Sequence, residues 1–366
     1  MTPAEHLIAA RILRDGPITF REFMEMALYH PQVGYYATSG ERIGRKGDYF
    51  TSSSLGPLFG RALARQFVEM LDILGGGVLV EMGAGQGHLA RDVLEELARQ
   101  GKEVRYIIVE RSPAMRAVQG RNLGGFCGSV EWVEDLGCLD SLEGVFFSNE
   151  LVDAFPVHMV EMTQDGLREV LVDWRAGEFL EVLAPPTTPR LEEYFRELGV
   201  KLPPGFRTEV NLDALDWLAG VASRLSKGFV ITIDYGFPSH ELYQDYRRRG
   251  TLLAYYRHQV CEDIYARVGE QDLTAHVNFS ALAHWGKKEG LEVLGFLPQA
   301  HFLLGLGILD FLSEDEGGQL ERLAAKALLL PGGMGETFKV LIQAKGVRPS
   351  GLLGLSMAPE RGSLRL

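Results

Sequence analysis

Cysteine is scarce: Cys127, Cys138 and Cys261 are the three in 366 residues. Their odd number and the lack of any Cys-x-x-Cys pair exclude a disulfide framework and a thiolate zinc site. A reducing compartment follows, and the cytoplasm is the expected location. Long apolar runs are missing as well, so no stretch reaches the ~20 residues that a membrane-spanning helix needs. The opening MTPAEHLIAARILRDG has no basic head, no apolar stretch and no small-residue cleavage site, so it is read as neither an export nor an import address. It is a helix opening instead, with Thr2 as N-cap, Pro3 in the first turn and Glu5 at the capping-box position. Positive charge is in the minority, 37 Lys and Arg against 49 Asp and Glu, for a formal charge of -12. That balance argues against broad nucleic-acid binding, which needs clustered cations on phosphates. It suits a cationic partner, although solubility alone accounts for such a charge. A metal site is not expected, since His276 and His284 have no third ligand at metal spacing.

What is present is ordinary for a globular protein, 46% hydrophobic and 23% charged residues. Apolar runs of strand length recur at Val78–Val80, Tyr106–Val109, Val145–Phe147, Phe229–Ile233 and Phe338–Ile342. Their lack of alternation predicts burial on both faces, hence a mostly parallel α/β sheet covered by helices. Between the first two runs, Leu89, Val93, Leu94 and Leu97 have helical spacing, and Gly101 stands as a C-terminal stop. Toward the end, SALAHWGKKEG reads as a helix leading into LEVLGFLPQ, and FKVLIQAK reads as the closing strand. Around this core we expect an N-terminal helical and loop extension over 1–77. The core itself is expected over 78–345, with insertions at about 157–227 and 238–278, and a loosely held tail over 346–366. The first insertion contains a hairpin (HMVEMT, turn QDG, LREVLVDW) and two helices around Leu191–Leu198 and Asp213–Leu225. In the second, Tyr255, Tyr256, Arg257 and His258 are read as aromatic packing, with the lining of a peptide channel as the alternative.

Gly83, Gly85 and Gly87 follow a buried strand and precede a helix, so the chain can turn tightly and its backbone can approach a ligand. Their GxGxG spacing differs from the GxGxxG that sets a pyrophosphate on a helix N-terminus. Glu81, two residues before the first glycine, would repel a pyrophosphate but could pair with an ammonium directly or through water. Those two features favour S-adenosylmethionine over a nicotinamide dinucleotide. Glu110, at the end of the second strand, is placed to accept both ribose hydroxyl protons. Asp135, with Leu136 beside it after the strand VEWV, is placed to meet the adenine.

The segment SNELVDAFPVH, taken with HPQVGYYA, GDYFTS, the glycine turn, IDYGF and TAHVNFS, resembles the MidA family of methyltransferases. The resemblance runs from about Phe20 to Phe302. It implies a class I fold of seven strands with family insertions, S-adenosylmethionine as donor, and an exposed arginine of a protein partner, a respiratory complex I subunit, as acceptor. It also implies that Gly47, Asp48 and Thr51 of GDYFTS touch the cofactor. Two positions depart from the family pattern: Ser53, Ser54 and Leu55 stand where Pro-Glu-Ile is usual, and Asn278 stands where an acid usually follows TAHV.

An arginine guanidinium is charged and offers no free lone pair, so carboxylates must orient it. Glu150 and Asp153, at the carboxyl end of the fourth strand, are the expected holders, because open α/β sheets bind ligands there. Asp153 as a helix N-cap is the alternative. Asn149 is expected to position the acceptor and His158 to take a proton toward solvent. A methyltransferase for another acceptor, and an S-adenosylmethionine-binding assembly chaperone, remain open at this point, as does a homodimer.

Overall fold

A computed structural model describes residues 1–37, 55–257, 259–313 and 318–358. The chain divides into two compact units. One gathers Met1–Tyr49, Val152–Asp216 and Phe237–Ala281; the other gathers Phe50–Leu151, Trp217–Gly236 and Leu282–Leu366.

The second unit is built on the sheet that the unbroken apolar runs predict. Its strands are β1 (Val78–Met82), β2 (Arg105–Val109), β3 (Val130–Val133), β4 (Leu142–Asn149), β5 (Leu225–Phe237), β6 (Glu292–Pro298) and β7 (Phe338–Lys345). They lie in the order β3-β2-β1-β4-β5-β7-β6. Pairing is parallel from β3 through β5 and antiparallel on both sides of β7. This is the class I arrangement that the family resemblance implies. All five residues of β1 are buried, as a strand covered on both faces requires. The helix His88–Arg99 buries Leu89, Val93, Leu94 and Leu97 as its spacing predicts, and Gly101 leaves it at φ 67.

The helix Leu58–Leu74 covers the same sheet and contributes Leu58, Phe59, Leu63, Phe67 and Met70 to the core. It packs so closely on its neighbour that a Cβ at Gly60 would stand 2.6 Å from that of Asp92. The stretch after Lys345, expected to be loose, is tied down as far as the structure describes it. Leu352 is buried, Leu353 N–H donates to the Glu69 carboxylate, and Gly354 N–H donates to Gln66 Oε1. These bonds satisfy backbone groups that a free tail would leave to water.

The other unit opens on the helix Pro3–Asp15, capped by the reciprocal Thr2–Glu5 pair, with Glu5 N to Thr2 Oγ1 at 3.1 Å and Thr2 N to Glu5 Oε2 at 2.8 Å. It carries a five-stranded sheet centred on Gly166–Arg175 and a three-stranded sheet of Leu253–Tyr256, Gln259–Cys261 and Asp272–Thr274. The expected hairpin (His158–Thr163 with Gly166–Arg175) gains a third strand, Glu178–Ala184. The helices Arg190–Glu197 and Leu212–Arg224 fall where they were expected. Ile8, Ile12, Phe20, Phe23, Leu28, Met159, Val170 and Val172 share its core.

Candidate functional site

The chain leaves β1 through Gly83, Gly85 and Gly87 at φ 73, 50 and 83. Three left-handed residues in alternation are what the GxGxG spacing provides, since only glycine visits this region without a steric cost. The turn is packed from behind: a Cβ on Gly83 would stand 2.7 Å from Leu151 Cδ1.

Glu110 ends β2 half-buried. Its carboxylate accepts from Ser112 N at 2.8 Å and from Gln119 Nε2 at 3.2 Å, and burial pushes its pKa up. Gln119, wholly buried on the helix Pro113–Asn122, also donates to Gly85 O at 2.7 Å and accepts from Trp132 Nε1 at 3.0 Å. One amide thus fixes the glycine turn, the acid of β2 and the aromatic of β3 together. Neighbouring Asn122 adds a bond to Gln86 O at 2.8 Å. Gln119 escaped the sequence reading because a glutamine on a helix carries no motif; its total burial is the signal. Asp135 is exposed after β3, with Oδ1 accepting from Gly137 N at 2.6 Å, and Leu136 follows it half-buried. The glycine turn, a held acid at the end of β2 and a second acid after β3 fit an adenosyl cofactor. Gly47, Asp48 and Thr51, like His258, lie outside the described residues.

A Gln119→Leu variant tests this arrangement. It leaves Gly85 O, Glu110 and Trp132 Nε1 without their partner, and losing such buried bonds costs about 1–3 kcal/mol. S-adenosylhomocysteine affinity, measured by calorimetry, should fall about tenfold or more. Unchanged affinity would remove Gln119 from the cofactor cradle.

Glu81 is buried on β1, where Tyr106 Oη donates to its Oε2 at 2.6 Å. Burial pushes its pKa up to about 7, with the Tyr106 bond opposing the shift. A carboxyl so poised ionises when a cation arrives beside it. In the unliganded chain, protonated Glu81 favours the folded state. Its stabilisation is complete below pH 4.5, the ordinary value, and is lost as pH rises through about 7. A shift of that size is worth about 3 kcal/mol. Glu81→Gln, neutral throughout, should flatten this part of the stability–pH curve and raise stability above pH 7. Denaturant unfolding between pH 5 and 8 reads it, and parallel curves for the two proteins would contradict the assignment.

Asn149 and Glu150 end β4. Asn149 is 9% exposed; its Nδ2 donates to Glu150 Oε1 at 3.1 Å, and among the described residues its Oδ1 has no hydrogen-bond partner. Glu150 holds a left-handed backbone, φ 54, while its N–H extends the ladder to Ile233 O at 3.0 Å. Non-glycine residues kept in this region store strain and cluster at functional sites.

Asp153 and His158 belong to the other unit. Asp153 is 6% exposed within a single 3-10 turn, Val152–Ala154, rather than capping an α-helix. His158 Nδ1 lies 2.7 Å from Glu169 Oε1 inside the antiparallel sheet. Burial would raise the Glu169 pKa, but bonds from His158 and Thr187 outweigh it and hold the carboxyl low. Asn278 has a structural role: its amide donates to Tyr194 Oη at 2.9 Å and Tyr243 Oη at 3.1 Å while its Oδ1 accepts from Ala281 N at 3.3 Å. Only an amide both donates and accepts in this way, so the departure from an acid here is accommodated by local bonding.

Residues 62–297 match a family model for S-adenosyl-L-methionine-dependent methyltransferases. The chain belongs to the MidA family of these enzymes. A crystal structure from Burkholderia thailandensis with S-adenosyl-homocysteine bound superposes with TM-score 0.89 at 35% identity, covering 96% of this chain and 94% of that one. The mouse (Mus musculus) protein arginine methyltransferase NDUFAF7, mitochondrial, is 29% identical, with 92% of this chain and 83% of that protein covered. The human (Homo sapiens) protein of the same name is 28% identical, with 92% and 82% covered. This MidA-family chain is therefore a methyltransferase with S-adenosylmethionine as its cofactor. The expected cytoplasmic placement is corrected by these relatives, which are named as mitochondrial proteins. Sparse cysteine separates reducing from oxidising surroundings and does not separate one reducing compartment from another.

Proposed function

We propose that the chain transfers a methyl group from S-adenosylmethionine to an arginine side chain of a protein partner. The observation that carries this reading is the name borne by relatives matching 92% of the chain, protein arginine methyltransferase. The partner class that the family resemblance implies is a subunit of respiratory complex I. In this reading Gly83, Gly85, Gly87, Glu110, Asp135 and Leu136 hold the cofactor, and Glu81 faces its ammonium.

When bound, the cofactor supplies a sulfonium methyl open to in-line displacement, so the protein's part is positioning. Glu150 takes one edge of the guanidinium in a charge-assisted fork, which concentrates positive charge away from the reacting nitrogen. Its left-handed backbone at the end of β4 supports this role, as does the Asn149 amide that steadies its carboxylate. His158, bonded to Glu169, belongs to the structural support of its sheet in this reading, and the proton that the methylated nitrogen loses passes to water.

The protein nature of the acceptor is tested by incubating the purified chain and methyl-labelled S-adenosylmethionine with cell lysate. Label should stay with material that protease digests and ribonuclease leaves intact. Label on nucleic acid or on small metabolites alone would overturn the reading.

A further inference from the structure

In the unit that gathers Met1–Tyr49, Val152–Asp216 and Phe237–Ala281, the strands Leu253–Tyr256 and Asp272–Thr274 pair antiparallel, with Leu253 opposite Thr274, Ala254 opposite Leu273 and Tyr255 opposite Asp272. Strand alternation sends Ala254 and Leu273 into the core, where both are buried. Tyr255, Asp272 and Thr274 therefore share the opposite face. Tyr36 Oη donates to both oxygens of Asp272 at 2.9 and 3.0 Å. The rings of Tyr29 and Tyr36 stack with centroids 5.3 Å apart, and Tyr29 Oη donates to Ala154 O at 2.9 Å, beside Asp153. Ala275 N donates to Asp153 O at 3.0 Å, which joins the end of the strand to the turn that carries Asp153.

Both carboxylates lie close enough to Tyr255 to hold its hydroxyl protonated, adding to the effect of burial. Asp153 and Asp272 are buried, whereas Tyr29, Tyr36 and Tyr255 are half-exposed. An independent feature lies on the same face: Thr274 is 4% exposed, and among the described residues its Oγ1 has no hydrogen-bond partner. A buried hydroxyl without a protein partner is costly and suits a donor from a ligand.

We infer that Asp153, Asp272, Thr274 and the surrounding tyrosines form a binding site for the guanidinium of a peptide arginine. This rests on the arginine acceptor proposed above; of these residues the sequence names Asp153 as a guanidinium holder and Tyr255 as aromatic packing or channel lining, and the others are added by the structure. Several acceptors in one place match a cation with five donors, and flat rings suit a planar, weakly hydrated guanidinium better than a compact ammonium. Tyr36 of HPQVGYYA, Tyr29 just before it, Asp272 ahead of TAHV and Asp153 of SNELVDAF thereby acquire one shared purpose.

The test is calorimetric titration of the full chain, saturated with S-adenosylhomocysteine, using a nine-residue glycine–alanine peptide with one central arginine. Its citrulline and lysine counterparts serve as competitors. Binding should be at least about tenfold weaker for citrulline and clearly weaker for lysine, since charge-assisted forks are lost or narrowed. Asp272→Asn should weaken arginine binding about tenfold or more. The near-isosteric Thr274→Val should weaken it severalfold while melting no lower than the parent, because it removes the unpartnered hydroxyl. Parental circular dichroism and cooperative melting certify folding in both. Equal binding of arginine and citrulline, equal binding of arginine and lysine, or parental arginine binding by both variants would overturn the site. Arginine methylation that survives in both variants would overturn this site and leave the proposed reaction standing. Arginine bound here but never methylated would do the reverse.

Discussion

Glu150→Gln transfers methyl groups about 100-fold more slowly than the parent, or slower still, with S-adenosylmethionine affinity unchanged; a factor of 100 corresponds to about 2.7 kcal/mol of transition-state stabilisation. The amide keeps the size of the side chain and its bond with Asn149, so what is lost is the charge that orients a guanidinium. The backbone at φ 54 gives a second handle. Glu150→Gly suits that conformation, and relief of the left-handed strain offsets glycine's backbone entropy, so it should be at least as stable as the parent, yet it should be at least as inactive as Glu150→Gln. A residue that only ended the strand would show the opposite pattern, with activity following stability. Single-turnover transfer of labelled methyl, run beside cofactor titrations, separates the two. Normal transfer by Glu150→Gln removes the guanidinium role, and a joint loss of cofactor binding moves Glu150 into the cofactor site.

The other large effect belongs to the glycine turn. Gly85 stands at φ 50, where a β-branched residue is a genuine outlier and any side chain costs about 1–2 kcal/mol. Gly85→Ala carries that backbone cost with almost no bulk and should weaken S-adenosylhomocysteine binding only about tenfold. Gly85→Val adds two methyl groups on the ligand's approach and should weaken binding about 100-fold or more. Comparing the two by calorimetry, with melting temperature as the measure of folding, isolates bulk from strain. A folded Gly85→Val with parental affinity would strike the turn from the cofactor site.

The parallel sheet was legible because its central strands are unbroken apolar runs, which need cover on both faces. The glycine turn was legible because its spacing forces a backbone conformation. What escaped has physical reasons of its own. The helix Leu58–Leu74 was not singled out within the extension, although Phe59, Leu63, Phe67 and Met70 follow helical spacing. The strand Glu178–Ala184 has no fully buried residue, so it lacks the apolar pattern that would announce it. Gln119 and Tyr106 act through bonds to Gly85, Glu110 and Glu81, and long-range polar contacts leave no trace in local periodicity. The gathering of Met1–Tyr49, Val152–Asp216 and Phe237–Ala281 into one unit likewise depends on contacts between segments far apart in sequence.

The central claim is methyl transfer to protein arginine, and the most direct test is the chemical identity of the modified residue. The purified chain is incubated with methyl-labelled S-adenosylmethionine and lysate protein, the labelled protein is hydrolysed to amino acids, and the label is assigned by mass spectrometry. The account predicts label in N-methylated arginine, absent when Gly85→Val replaces the parent. Label confined to lysine, a carboxyl group or a protein terminus, or no transfer by a chain that binds the cofactor, would contradict it.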